Sequence, residues 1–192
     1  DATITSTSGD NFYYVNAETG DAIINTGDGD LIATVSAREW VTLNAGDGDS
    51  RITINEGHGH HGNSDGHGPG RHSPDADQIV IVSVGDGQQR IDVGASTDTT
   101  ITAGVGNSTI EVEASRDVAI TAGSGNSHFT VSGVNEHDNG GELNRVVINA
   151  GAGNSTFDVS NAQTAVVNAV SGASTFSVLA ADGTIAASDV GG

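Results

Sequence analysis

Three groups of side chains in this sequence have the types and spacing to do chemistry. The densest is the run GHGHHGNSDGHGPGRHSPDAD at 57–77, which holds His58, His60, His61, His67 and His72 with Asp65, Asp75 and Asp77. Neutral imidazole is a ligand for zinc, nickel and copper, so this run is a compositional transition-metal signal; without a helical spacing to preorganise it, it also reads as a polar loop excursion. The second group is acidic. Asp28, Asp47 and Asp86 lie between paired glycines, and Asp30 and Asp49 follow the second glycine of a pair. If copies of that motif stack, these carboxylates form columns about 5 Å apart that repel each other, and calcium, which accepts irregular oxygen geometry, would relieve the repulsion. Turn aspartates that point into water need no cation. The third group is Arg51, Arg90, Asp92, Glu111 and His128, which stand three or five residues past the glycine pairs. On one sheet face they could act on an acidic polysaccharide, a carboxylate or imidazole as base and Arg neutralising a uronate. The plainer alternative pairs Arg90 with Glu111 across neighbouring strands on a wet surface.

The elements that must position these groups are legible from a repeat. Gly-x-Gly recurs at Gly27/Gly29, Gly46/Gly48, Gly85/Gly87, Gly104/Gly106, Gly123/Gly125 and Gly151/Gly153, with a degenerate copy at Val170/Gly172; first members are spaced by 19, 39, 19, 19, 28 and 19 residues. A base unit of 19 residues therefore carries insertions at 57–77 and at 133–145, the latter with His137. Four residues past each second glycine stand Ala33, Ile52, Ile91, Ile110, Phe129, Phe157 and Phe176. Six past it stand Val35, Ile54, Val93, Val112, Val131, Val159 and Val178, with polar residues between the two positions. That alternation is a half-buried strand, and a second strand precedes each glycine pair with inward residues such as Val41/Leu43 and Val146/Ile148. Two short strands and two tight turns cannot bury a core alone but can when identical units stack. The expectation is an all-β, right-handed parallel β-solenoid of about seven coils, one domain over 1–192.

Further expectations concern the corners and ends. Asn107, Asn126 and Asn154 follow the second glycine in later copies and suit an amide ladder, while Phe129, Phe157 and Phe176 suit a ring stack. Residues 1–25, with Phe12, Tyr13 and Tyr14, are taken as amino-terminal cap and first coil, and 181–192 as carboxy-terminal cap. The second strand turns Ile23, Ile81, Val147 and Val166 outward, an apolar strip that a loop, another domain or a second copy of the chain would cover.

Composition sets the outer bounds. The 192 residues include 28 Gly, seven aromatics and no Cys, so disulfides and thiolate metal sites are impossible. Lysine is absent, and six Arg against 25 acids leave a formal charge of -19, a poor surface for nucleic acid or anionic membrane. No apolar run is long enough to span a bilayer. Asp1 reads as the start of a processed piece of a longer chain, whose flanking domains are expected partners.

The stretches TGDGDLIATV, AGDGDSRITI, VGDGQQRIDV, AGVGNSTIEV, AGSGNSHFTV and AGAGNSTFDV resemble the repeats of bacterial secreted β-solenoids, notably the calcium-binding β-rolls of RTX proteins and, more distantly, β-helical adhesin passengers. The resemblance implies stacked parallel coils, secretion or surface display, and calcium at the turns. The family's acidic ligand position, two past the second glycine, holds Leu31, Ser50, Gln89, Ser108, Ser127, Ser155 and Ser174 here. The expected function is a non-catalytic structural or interaction module of a secreted or surface bacterial protein, with folding assisted by calcium. A polysaccharide-modifying enzyme and a delivered effector, the latter suggested by the missing lysines, are the alternatives.

Overall fold

The computed structural model describes residues 1–17, 20–56, 78–133, 143–180 and 185–189. Fourteen strands follow in chain order: β1 (Ala2–Thr5), β2 (Asn11–Ala17), β3 (Ala22–Asn25), β4 (Leu31–Ala37), β5 (Trp40–Ala45), β6 (Ser50–Glu56), β7 (Ile79–Val84), β8 (Gln89–Ala103), β9 (Ser108–Ala122), β10 (His128–Gly133), β11 (Leu143–Ala152), β12 (Thr156–Ser171), β13 (Thr175–Ala180) and β14 (Ile185–Asp189). The described residues contain no helix, so none long and apolar enough to cross a membrane.

Every strand pairs in parallel with the equivalent strand one coil away. Sheet 1 stacks β1, β3, β5 and β7, then the second halves of β8 and β9, then β11, the second half of β12, and β14. Sheet 2 stacks β2, β4, β6, the first halves of β8 and β9, β10, the first half of β12, and β13. The chain crosses between sheets at the glycine corners and returns at the opposite corner, where β8, β9 and β12 bend through without a break. Bulges mark that bend at Val93/Ser96 and Ser160/Ala162, and Asn161 adopts φ 55° there. The result is a parallel β-solenoid of about seven turns with eight positive-φ glycine corners.

The interior follows from side-chain parity. Ile52, Ile54, Ile91, Ile110 and Val112 from sheet 2 face Val41, Leu43, Val80, Ile101 and Ile120 from sheet 1, all essentially fully buried. Each such side chain contributes about 1.5–3 kcal/mol by leaving water, and stacking makes the column continuous from coil to coil. At the carboxy-terminal end Phe129, Phe157 and Phe176 stack as expected, with ring centroids 5.1 and 4.9 Å apart and planes 11° and 4° apart.

The amino-terminal residues, expected to depart from the repeat as a cap, instead follow it. Phe12, Tyr13, Tyr14 and Val15 pair in register with Ile32, Ala33, Thr34 and Val35, and Ala2 with Ala22. The corner there is Gly9, φ 93°, with Asp10 after it and Thr7 in place of the first glycine. Tyr13 and Val15 stand four and six residues past Gly9 and obey the same core rule. At the other end β14 adds a strand of the same kind, with Ile185–Asp189 paired to Ala165–Ala169.

Candidate functional site

The corners gather most of the repeated polar residues, and glycine makes them possible. The second glycine of each pair has φ between 111° and 153° from Gly29 to Gly172, a left-handed region that side chains disfavour. The first has ordinary φ but lies against the preceding corner: a Cβ on Gly123 would sit 2.6 Å from the Gly104 carbonyl oxygen. Corners therefore stack backbone on backbone. The second glycine donates its N–H to the carbonyl between the glycines one coil on, as from Gly48 to Asp86 (2.8 Å) and from Gly106 to Ser124 (2.9 Å).

Side chains complete this corner ladder in the other direction. One carboxylate oxygen of Asp28 accepts the Asp47 N–H (3.1 Å), Asp47 accepts that of Asp86 (2.9 Å), and Asp86 accepts that of Val105 (2.6 Å). In the neighbouring column Asp10 accepts from Asp30 (3.1 Å), Asp30 from Asp49 (3.0 Å), and Asp49 from Gln88 (2.7 Å). The expected amide-to-amide ladder at Asn107, Asn126 and Asn154 is corrected by the same pattern: Asn107 accepts the Asn126 N–H (2.8 Å), Asn126 that of Asn154 (2.9 Å), and Asn154 that of Ala173 (2.9 Å). The backbone N–H is the nearer donor because these residues sit where two corners meet. True amide ladders form elsewhere, at the end of the sheet 1 strands, where Asn44 donates to Asn25 and Asn168 to Asn149 (both 2.9 Å). Asp and Asn thus serve as the same kind of acceptor, in an acidic run that ends at Asp49 and a neutral run that starts at Asn107, with a break at Gln88 between them.

Asp28, Asp47 and Asp86 are exposed and on adjacent coils, as are Asp30 and Asp49. Among the described residues no three His, Asp or Glu side chains converge to hold a metal ion, so a cation here would draw on backbone and water oxygens as well. His58, His60, His61, His67 and His72, and also His137, lie outside the described residues. The 57–77 segment leaves after Glu56 and returns at Gln78, whose side chain is buried and donates to the Ala37 carbonyl (2.6 Å).

Just inside the corner lies a column that the sequence reading noted only as a missing ligand. Ser50, Gln89, Ser108, Ser127 and Ser155 are buried in successive coils, and the hydroxyls of Ser108, Ser127 and Ser155 have no hydrogen-bond partner. Serine is small enough for the corner, but its hydroxyl gains nothing from the protein there. Ser127→Ala is therefore expected to leave stability unchanged or to raise it by up to about 1 kcal/mol in urea denaturation; a loss above that range would show that the hydroxyl is satisfied in solution.

The outward face of sheet 2 carries the residues considered for polysaccharide chemistry. Arg51 stands beside Arg90 and Asp92 beside Glu111 in register, with His128 one rung past Thr109. Arg51, Arg90, Glu111 and His128 are exposed and Asp92 half-buried. The expected Arg90–Glu111 pair does not form, because register places Thr109 opposite Arg90; among the described residues the ion pair is Arg116–Asp98 at 2.9 Å. His128 meets Thr130 at 3.4 Å. Among the described residues no hydrogen bond or ion pair joins Arg51, Arg90, Asp92, Glu111 and His128 to one another. The same face carries exposed Phe12, Tyr14 and Ile32 at its amino-terminal end. Compared with models of known families, with curated proteins and with solved structures, the chain finds no match.

Proposed function

We propose that the chain is a non-catalytic structural repeat module of a secreted or cell-surface bacterial protein, a stiff spacer between flanking domains. The observation that supports it is the use of the corner polar groups. Ten side-chain oxygens, from Asp1 to Asn154, each accept a backbone N–H of the following coil, so the most repeated polar feature of the chain joins coil to coil. Such a ladder resists sliding of one coil over the next, because a slip breaks side-chain and backbone bonds together. The secreted, bacterial part of the proposal rests on the resemblance of the glycine stretches to RTX-like and adhesin repeats.

Calcium-assisted folding belongs to the same reading. The ladder uses one oxygen of Asp28, Asp47, Asp86, Asp30 and Asp49, leaving the other to a hard cation at the exposed corner. Because the chain has no Cys, cysteines placed at Ser8 and Ala173 can carry spin labels at the first and last corners. A spacer gives one narrow distance of roughly 34 Å, seven rungs at about 4.8 Å. A broad distribution would overturn the spacer. Calcium at millimolar concentration is expected to raise the melting temperature relative to chelator, and Asp28→Asn with Asp47→Asn and Asp86→Asn to remove the difference. Equal melting in calcium and chelator would remove the cation and leave the spacer standing.

A further inference from the structure

Sheet 1 turns outward a face with an unusual charge distribution. Its two central columns, which run from Thr3 and Thr5 through seven further rungs to Val166 and Asn168 and then to Ala186 and Ser188 of β14, contain no charged residue, in a chain with 25 acids and six Arg. Ile23 and Ile81 in these columns are 39% and 37% exposed. Charge returns in a third column at the strand starts, where Asp1, Asp21, Asp98, Asp117 and Arg145 share the face with Trp40, itself 45% exposed, Asp98 being already paired with Arg116. Sheet 2, by contrast, carries Arg51, Arg90, Asp92 and Glu111 across the middle of its outward face. A charge-free, β-branched sheet face is the kind that packs against another sheet.

We propose that this face is a homodimer interface, in which two copies pack sheet 1 on sheet 1 with antiparallel coil axes about a twofold axis parallel to the strands, between the fourth and fifth rungs. Each column then faces itself reversed. Ile23 meets the partner's Val147, Thr42 meets the partner's Ala119, and Ile81 meets the partner's Thr100, so larger side chains lie opposite equal or smaller ones. Asn25 meets the partner's Asn149, each already held in an amide ladder.

The charged column decides the orientation. The same axis places Asp21 opposite the partner's Arg145, and Trp40, an N–H donor, opposite the partner's Asp117. Asp21 is half-buried and Arg145 exposed, and neither forms an ion pair among the described residues. An axis along the coil stack would instead set Asp21 against the partner's Asn25 and leave Arg145 unpaired. It would also bring the acidic corners of both copies to one end, whereas the antiparallel arrangement separates them to opposite ends, where salt screens them. Eight rungs by three columns bury roughly 1,300 Å² over the two copies, within the range of specific interfaces. This inference does not rest on the spacer reading.

Sedimentation velocity and light scattering at about 100 μM are expected to give twice the chain mass, and Ile81→Arg, at the centre of the face, to weaken association by about 30-fold or more. Asp21→Arg alone is expected to weaken association, and Asp21→Arg with Arg145→Asp to restore it, a recovery that a misfolded variant would not show. In this cysteine-free chain Ile23→Cys with Val147→Cys is expected to form a cross-linked dimer on oxidation, while Ile23→Cys alone stays uncross-linked. A wild-type monomer at that concentration, efficient cross-linking by Ile23→Cys alone, or failure of the charge swap to recover the dimer would each overturn the proposal.

Discussion

Gly106→Ala is expected to destabilise the solenoid by about 4 kcal/mol or more, enough to unfold much of the chain at moderate temperature. Two causes act together at this position. Gly106 has φ 142°, and a Cβ there would overlap the carbonyl oxygen of Gly87 in the preceding corner. That carbonyl belongs to backbone already bonded to coils on both sides, so it cannot move aside cheaply. Three control substitutions separate the causes. Gly9→Ala carries only the conformational cost, since φ is 93° but nothing lies within 4 Å, and about 1–2 kcal/mol is expected. Gly123→Ala carries only the overlap, with the Gly104 oxygen at 2.6 Å. Gly94→Ala carries neither, its nearest neighbour being the Ile54 oxygen at 3.8 Å, and is expected to be tolerated within about 1 kcal/mol. Denaturant midpoints ordered Gly106 below Gly123 and Gly9, with Gly94 near wild type, check the argument. A tolerated Gly106→Ala would mean that the coils are farther apart than the corner ladder requires.

Phe157→Ala is expected to cost about 3–5 kcal/mol, the largest loss from a single core truncation in this chain. Phe157 is fully buried and stacks on Phe129 at 5.1 Å and on Phe176 at 4.9 Å, so its removal opens a cavity against both neighbouring coils. Phe176 is only partly buried at the end of the stack, and Phe176→Ala is expected to cost less. Because a solenoid is held by nearest-neighbour interfaces, weakening two of them should uncouple the coils after Ala150 from those before. Urea denaturation followed by circular dichroism is then expected to broaden, with a lower apparent m-value, and hydrogen exchange to accelerate first in β12 and β13. A sharp transition with unchanged slope and a loss under about 1 kcal/mol would show that the rings do not hold the coils together.

The fold was legible because it depends on side-chain type and parity. Ile52 and Ile54, or Phe157 and Val159, stand at fixed distances from a glycine pair, and a strand buries alternate residues whatever its neighbours do. Two features escaped. Residues 1–25 were legible as a cap and first coil but not as a copy that keeps the repeat, because Thr7 replaces a glycine and Phe12 and Tyr14 place bulky rings outward, although Gly9–Asp10 lies twenty residues before Gly29–Asp30 and Tyr13 and Val15 already satisfy the core rule. The strand-end amide ladders at Asn25/Asn44 and Asn149/Asn168 were hidden because each spans only two coils.

The role of the corner residues was the less legible part. Asp28 and Asn107 were recognisable as turn residues in columns, and the columns are real. What each oxygen touches depends on a spacing of a few tenths of an ångström between stacked backbones, and residue order carries no such distance. Residue order alone therefore settles the parallel solenoid and its apolar interior, because burial follows from chemistry and period. The stacked coils settle which polar partner each corner side chain takes and which outward face is free of charge, because those properties arise only when residues 19 or more positions apart become neighbours.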